Sequence, residues 1–203
     1  MRCCFLIFLL FIAPRLFAQN SELARQLAAI EKSTTHKADI VELKKILGSS
    51  NLTATENIAV QTVLVHKYQE LKQWDTCLNY CQAQVALAHQ QKNSLAEATF
   101  YKLIGGTYYY IPPKENAIAY WKKCIEIAEP NHYNTLLAQC YHNVGVISFE
   151  GVDYKLAEKY FIKAIELSKQ NNDTASTTFS LHYRLLATTY YAENKLDKAE
   201  QIF

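Results

Sequence analysis

The chain has 203 residues, half of them hydrophobic, which is enough to bury a core as one domain or a short repeat array. Five glycines and four prolines are too few for an all-β protein full of tight turns or for a disordered chain, while 14 tyrosines and 9 phenylalanines need a regular place to pack. The formal net charge is +2; without residues 1–18, which carry Arg2 and Arg15 and no acid, 19 basic residues face 19 acidic ones, and no basic surplus remains for nucleic acid.

Residues 1–18 read as a signal peptide. Arg2 precedes an apolar run over 3–13, and Ala18 offers a small residue for cleavage. The run is shorter than the ~20 residues of a membrane-spanning helix. A secreted or periplasmic location is expected, with an uncleaved membrane anchor as the alternative. Helices are expected at 21–32 and 36–47, a divergent pair within 19–50 that caps the array. Gly48 closes it. Further helices are expected at 54–70, 75–91, 95–110, 114–128, 132–149, 154–170, 174–192 and 196–203, with no strand between them. Thr53-x-x-Glu56 and Ser94-x-x-Glu97 read as capping boxes, Pro112-Pro113 as a helix start, and Asp153 and Asp173 as N-caps. Cys77, Cys81, Cys124 and Cys140 read as small buried hydrophobes.

The helices repeat. Tyr101-x-x-Ile104-Gly105-x-x-Tyr108, Tyr141-x-x-Val144-Gly145-x-x-Ser148 and Tyr183-x-x-Leu186-Ala187-x-x-Tyr190 are copies of one pattern. Each is followed by Ala117, Ala157 or Ala199, then by Trp121, Phe161 or Phe203. Leu64-Val65-x-x-Tyr68 with Cys77 and Cys81 is a weaker copy, and the steps from Leu64 to Ile104, Val144 and Leu186 are 40, 40 and 42 residues. In each copy the small residues let two helices approach and the aromatics fill the wedge beside the contact.

This pattern resembles the tetratricopeptide repeat (TPR) over residues 58–203, in units of about 58–97, 98–137, 138–179 and a shortened 180–203. Tyr141, Val144, Gly145, Tyr154, Ala157, Phe161 and Ala164 carry the resemblance best, and Val65, Cys77, Cys81 and Gln84 depart from it. The period exceeds the usual 34 residues. The resemblance, to exported bacterial members of the family, implies an all-α fold: a right-handed superhelical solenoid of antiparallel helix pairs. It also implies a non-catalytic protein-interaction scaffold whose first helices line a concave groove. On that footing the groove residues include Lys102, Tyr109, Tyr110, His142, Phe149, Arg184 and Tyr191, with Thr62, His66, Gln69, Val146 and Thr188 beside them. Lys102, His142 and Arg184 stand at equivalent positions of three successive pairs. They would form a cationic line suited to an acidic peptide or protein segment.

No glycine-rich phosphate loop and no His-Glu-x-x-His is present, and Gly105-Gly106 reads as close packing. His132, Cys140 and His142 lack a second ligand pair, so no catalytic residue, metal site or cofactor is assigned. The alternative to a free-standing scaffold is the periplasmic sensor portion of a larger bacterial signalling protein, a histidine kinase or DNA-binding regulator, continuing past Phe203.

Overall fold

The computed structural model describes residues 22–202 apart from 50, 174 and 175, and for Thr177 only the backbone. The signal peptide read at 1–18 and the aromatic Phe203 lie outside the described residues. Among those described, the chain is all helix: α1 (Glu22–Lys32), α2 (His36–Leu47), α3 (Ala54–Glu70), α4 (Trp74–Gln90), α5 (Ser94–Tyr108), α6 (Glu115–Ala128), α7 (Asn134–Glu150), α8 (Tyr154–Gln170), α9 (Thr177–Ala192) and α10 (Leu196–Glu200). From α2 onward each helix packs on the next, and the first helices of successive hairpins also touch, α1 on α3, α3 on α5 and α5 on α7. The result is an all-α solenoid.

The periodic small residues set the spacing within the hairpins. A Cβ on Gly105 would stand 2.4 Å from Trp121 Nε1, and one on Gly145 would stand 2.7 Å from Phe161 Cε1. Each ring therefore lies directly on the backbone of the first helix, and both rings are wholly buried. Trp121 Nε1 also donates to the Lys102 carbonyl at 3.1 Å, so the indole N–H is satisfied inside the core. In the α3–α4 hairpin the same two positions hold Val65 and Cys81, both fully buried. The bulk has moved across the contact: side chain on the first helix, little on the second.

Six hairpin and inter-hairpin turns among the described residues share one closure. Lys72, Lys92, His132, Val152, Asn172 and Asn194 take left-handed φ values of 54–64°. In each case the next amide donates back across the helix end, as from Gln73 to Tyr68 at 2.9 Å and from Lys195 to Tyr190 at 2.8 Å. The capping box at Thr53 and Glu56 forms, and Asp153 caps α8. Two expected caps are corrected. Asn93, not Ser94, caps α5, because the Ser94 hydroxyl pairs instead with Tyr133 Oη at 2.8 Å. Ser176, not Asp173, caps α9, which begins later than expected.

The first pair is fastened by charge. Lys67 on α3 is 0% exposed. Its ammonium donates to the carbonyls of Glu31 (3.2 Å) and Ser33 (2.9 Å), at and just beyond the end of α1. It also meets Glu70 at 2.8 Å and Asp39 of α2 at 3.8 Å. A buried ammonium this fully surrounded ties both N-terminal helices to α3.

Transplanting the α3–α4 residues into the α5–α6 hairpin tests the packing account. Gly105→Val should overpack the indole and lose about 1–3 kcal/mol, and Trp121→Cys should lose about 3–5 kcal/mol. The double variant, which copies Val65 and Cys81, should be more stable than the sum by at least about 1 kcal/mol in urea unfolding. Strict additivity would refute the account.

Candidate functional site

The positions expected to face a groove are mostly enclosed. Thr62, His66, Gln69, His142 and Val146 are buried, and Lys102 is only 8% exposed. Successive first helices lie close enough for these side chains to bridge them. His66 Nδ1 meets Glu31 Oε1 at 3.2 Å, from α3 to α1. Gln69 Nε2 donates to Thr107 Oγ1 at 2.8 Å, from α3 to α5. Lys102 Nζ donates to Gln139 Oε1 at 3.2 Å, from α5 to α7. The His142 and His182 rings sit with centroids 4.9 Å apart, from α7 to α9. One polar contact thus spans each step of the solenoid. The cationic line read from Lys102, His142 and Arg184 is not an open surface: Arg184 alone of the three is exposed. Sequence spacing placed the three on one stripe but could not show how near the neighbouring helix stands.

The remaining expected residues collect elsewhere, at the edge formed by the turns inside the hairpins. Tyr110, 42% exposed, stacks on Trp74 of the preceding hairpin at 5.3 Å. Tyr109 is buried and donates to Glu150 Oε1 of the next hairpin. Lys114 completes that knot, with Nζ 2.7 Å from Glu150 Oε2 and 4.3 Å from the Tyr109 ring centre. Phe149 is half-buried against Tyr154 at 5.4 Å. Further along, Lys195 pairs with Glu158 at 3.0 Å and Glu193 at 2.8 Å. Tyr191 is exposed, as are Val152 and Leu196, two residues that no sequence pattern singled out. The edge therefore carries neutralised charges and open apolar groups.

Reactive side chains are held in inert forms. All four described cysteines are buried free thiols. Burial pushes Cys77 up to about 12 and raises Cys81 and Cys140 further, so thiolate is scarce at neutral pH. Burial acts on Lys102 in the other sense, lowering its pKa toward the neutral amine, and the side chain is enclosed between α5 and α7. Among the described residues no group of three or more His, Cys, Asp or Glu side chains could hold a metal ion. Nor is any described helix long and apolar enough to cross a membrane.

The histidine pair makes a pH prediction. Burial lowers His182 to about 4 and takes His142 well below its usual range, the adjacent His182 adding to the effect. The unfolded chain, with histidines near 6.5, binds more protons than the folded one between those values. Their contribution to stability is complete above pH 6.5 and is lost as pH falls toward 4. Unfolding of the wild type should become easier over that window, and His182→Leu should flatten the slope by up to about 1.4 kcal/mol per pH unit. Parallel pH profiles for the two proteins would count against buried neutral imidazoles.

No protein-family model matches this sequence, and no curated protein resembles it significantly in sequence. Solved structures do resemble it in shape. Over 90% of this chain and 71% of the other, it superposes on BtubC (BKLC) from P. vanneervenii with a TM-score of 0.68 at 16% identity. Over 88% of each chain, it superposes with a TM-score of 0.61 at 12% identity on a Podosopora anserina protein described as a putative kinesin light chain with nearly identical TPR-like repeats. At these identities the likeness concerns the fold, and the fold is a TPR-like helical repeat.

Proposed function

We propose that this protein is a non-catalytic interaction scaffold that binds a partner protein along the edge formed by its hairpin turns. Val152 carries the reading. It is a β-branched residue at φ 64°, in the left-handed region that such side chains avoid, and it is 67% exposed. The equivalent turns use Lys72 and Asn194, which tolerate the conformation better or hold a charge in water. Strain of about 1–3 kcal/mol spent on presenting an isopropyl group to solvent points to a use for that group. Tyr110 lies one hairpin before it, and Tyr191, 70% exposed, one hairpin after. Aromatic anchors in a neutralised surround are what protein interfaces favour at their centres.

The TPR-like fold supports the same conclusion, since helical repeats of this kind serve as binding surfaces. The partner fitting this edge is apolar and aromatic rather than acidic, because Lys114 and Lys195 are already paired. Export is part of the proposal and rests on Arg2, the apolar run after it and cleavage following Ala18.

A photo-cross-linking residue placed at Tyr191 or Tyr110 in the source cells should yield a discrete protein adduct, and one at exposed Lys159 should not. Val152→Asn should raise the melting temperature, by relief of backbone strain, and weaken the adducts. Equal labelling from all three positions would remove the edge as the binding surface.

A further inference from the structure

The cleft beside α4 lies where the repeat breaks. In the α5–α6 hairpin, Tyr101 meets Tyr120 at 6.1 Å, and Lys123 Nζ lies 5.4 and 4.8 Å from the two ring centres. Forty residues on, Tyr141 and Tyr160 stand 5.7 Å apart with Lys163 Nζ 4.7 Å from the Tyr141 ring. Forty residues back, the same three positions hold Gln61, Tyr80 and Ala83. One ring and one lysine are missing, and the second tyrosine is kept. Gln84 similarly replaces the small Cys124 and Ala164 of the later hairpins. In place of the lost ring there is a cleft of about 440 Å³, bordered by Gln61, Tyr80, Gln84, Leu87 and Phe100 among others. That volume falls within the roughly 300–1,000 Å³ of ligand pockets.

Its chemistry is selective. None of the lining residues is charged, although a fifth of the chain is. A carboxylate or ammonium entering it would shed water without gaining a counter-charge. Amides are abundant, and each can both donate and accept, which matches a polypeptide backbone. Gln61 Nε2 donates to Asn57, while Gln61 Oε1 is buried with no hydrogen-bond partner among the described residues. That oxygen is an acceptor in want of a donor. Tyr80, whose hydroxyl burial keeps protonated, offers a ring face and a donor.

We propose that this cleft binds an uncharged segment of partner polypeptide whose Tyr or Phe ring takes the place that Tyr101 and Tyr141 fill in the later hairpins. The ring lies against Tyr80 beside Gln61, and backbone amides pair with Gln84. The later hairpins thus supply the template for the ligand. This site rests on the scaffold reading only in taking a protein partner, since it shares no residue with the turn edge.

The probe is acetyl-Gly-Ala-Tyr-Ala-Gly-amide, titrated into isotope-labelled full-length protein and followed by NMR. Saturable shifts at Gln61, Gln84 and Leu87 are expected, at least tenfold weaker when Ala replaces the peptide's Tyr or when Glu replaces its terminal glycines. Gln61→Tyr restores the repeat's own residue; it should fold at least as stably as wild type and lose peptide binding. Leu87→Glu, on the exposed rim, should fold normally and bind at least tenfold more weakly. Absence of saturable shifts, or binding that survives both variants, overturns the proposal. Cross-linking from Tyr191 in the Gln61→Tyr background reads the edge separately, so either site can fail while the other stands.

Discussion

The fold depends on an aromatic ring laid on a bare helix backbone. Trp121 on Gly105 and Phe161 on Gly145 bring the two helices of a hairpin to one spacing, and that spacing recurs because the residues recur. Without it, the second helix would be pushed outward and the next hairpin would meet a different surface. The contact is buried and apolar, so the hydrophobic effect drives it, but its geometry comes from sterics: only a glycine leaves the ring room. Where Val65 and Cys81 hold these positions, α3 and α4 approach less closely than the helices of the later hairpins. A valine Cβ on the first helix is tolerable where the second contributes only a thiol.

The inter-hairpin chemistry derives from this spacing. Once the hairpins are held rigid, consecutive first helices approach closely enough for long polar side chains to span them. Buried polar groups then need partners, and Glu31, Thr107 and Gln139 supply them for His66, Gln69 and Lys102. The last step uses two imidazoles instead, and there burial outweighs the opposing pull of the Asp173 carboxylate on His182. The α7–α9 contact is therefore the one expected to weaken in acid. Val152, Tyr110 and Leu196 emerge at the turns, where the helices end and the backbone must reverse. The two proposed binding surfaces accordingly lie at the turn edge and at the break in the repeat, while the inner face is taken up by contacts between first helices.

Much of the architecture was legible in the sequence, because stacking enforces phase. Ten helices could be read with ends within about three residues of those observed, the shortened last one included, and Gly105, Gly145 and their aromatics could be matched by counting. What could not be read depended on partners far along the chain. Ser94 loses its capping role to a tyrosine 39 residues away, and Tyr109 answers to Glu150, 41 residues on. The left-handed turns were invisible because none uses glycine there. Lys102 and His142 were correctly placed on one stripe and wrongly supposed open, since periodicity gives direction around a helix but not the distance to its neighbour.

A repeat protein offers a control that other folds lack: each unit states what its neighbours would contain if nothing else were asked of them. Tyr101 with Tyr120 and Tyr141 with Tyr160 are two independent statements that this wedge is most simply filled by two rings. The α3–α4 hairpin keeps Tyr80 and gives up its partner ring for a glutamine whose buried carbonyl oxygen has no hydrogen-bond partner among the described residues. Stability alone does not account for that exchange, because it forgoes ring contact worth about 0.5–1.5 kcal/mol and buries an acceptor at a further penalty. Val65 and Cys81 stay wholly within the core; Gln61 borders the cleft. Of two departures in one hairpin, one stays within the core and the other borders a cleft, and it is the second that the proposed ligand would complete.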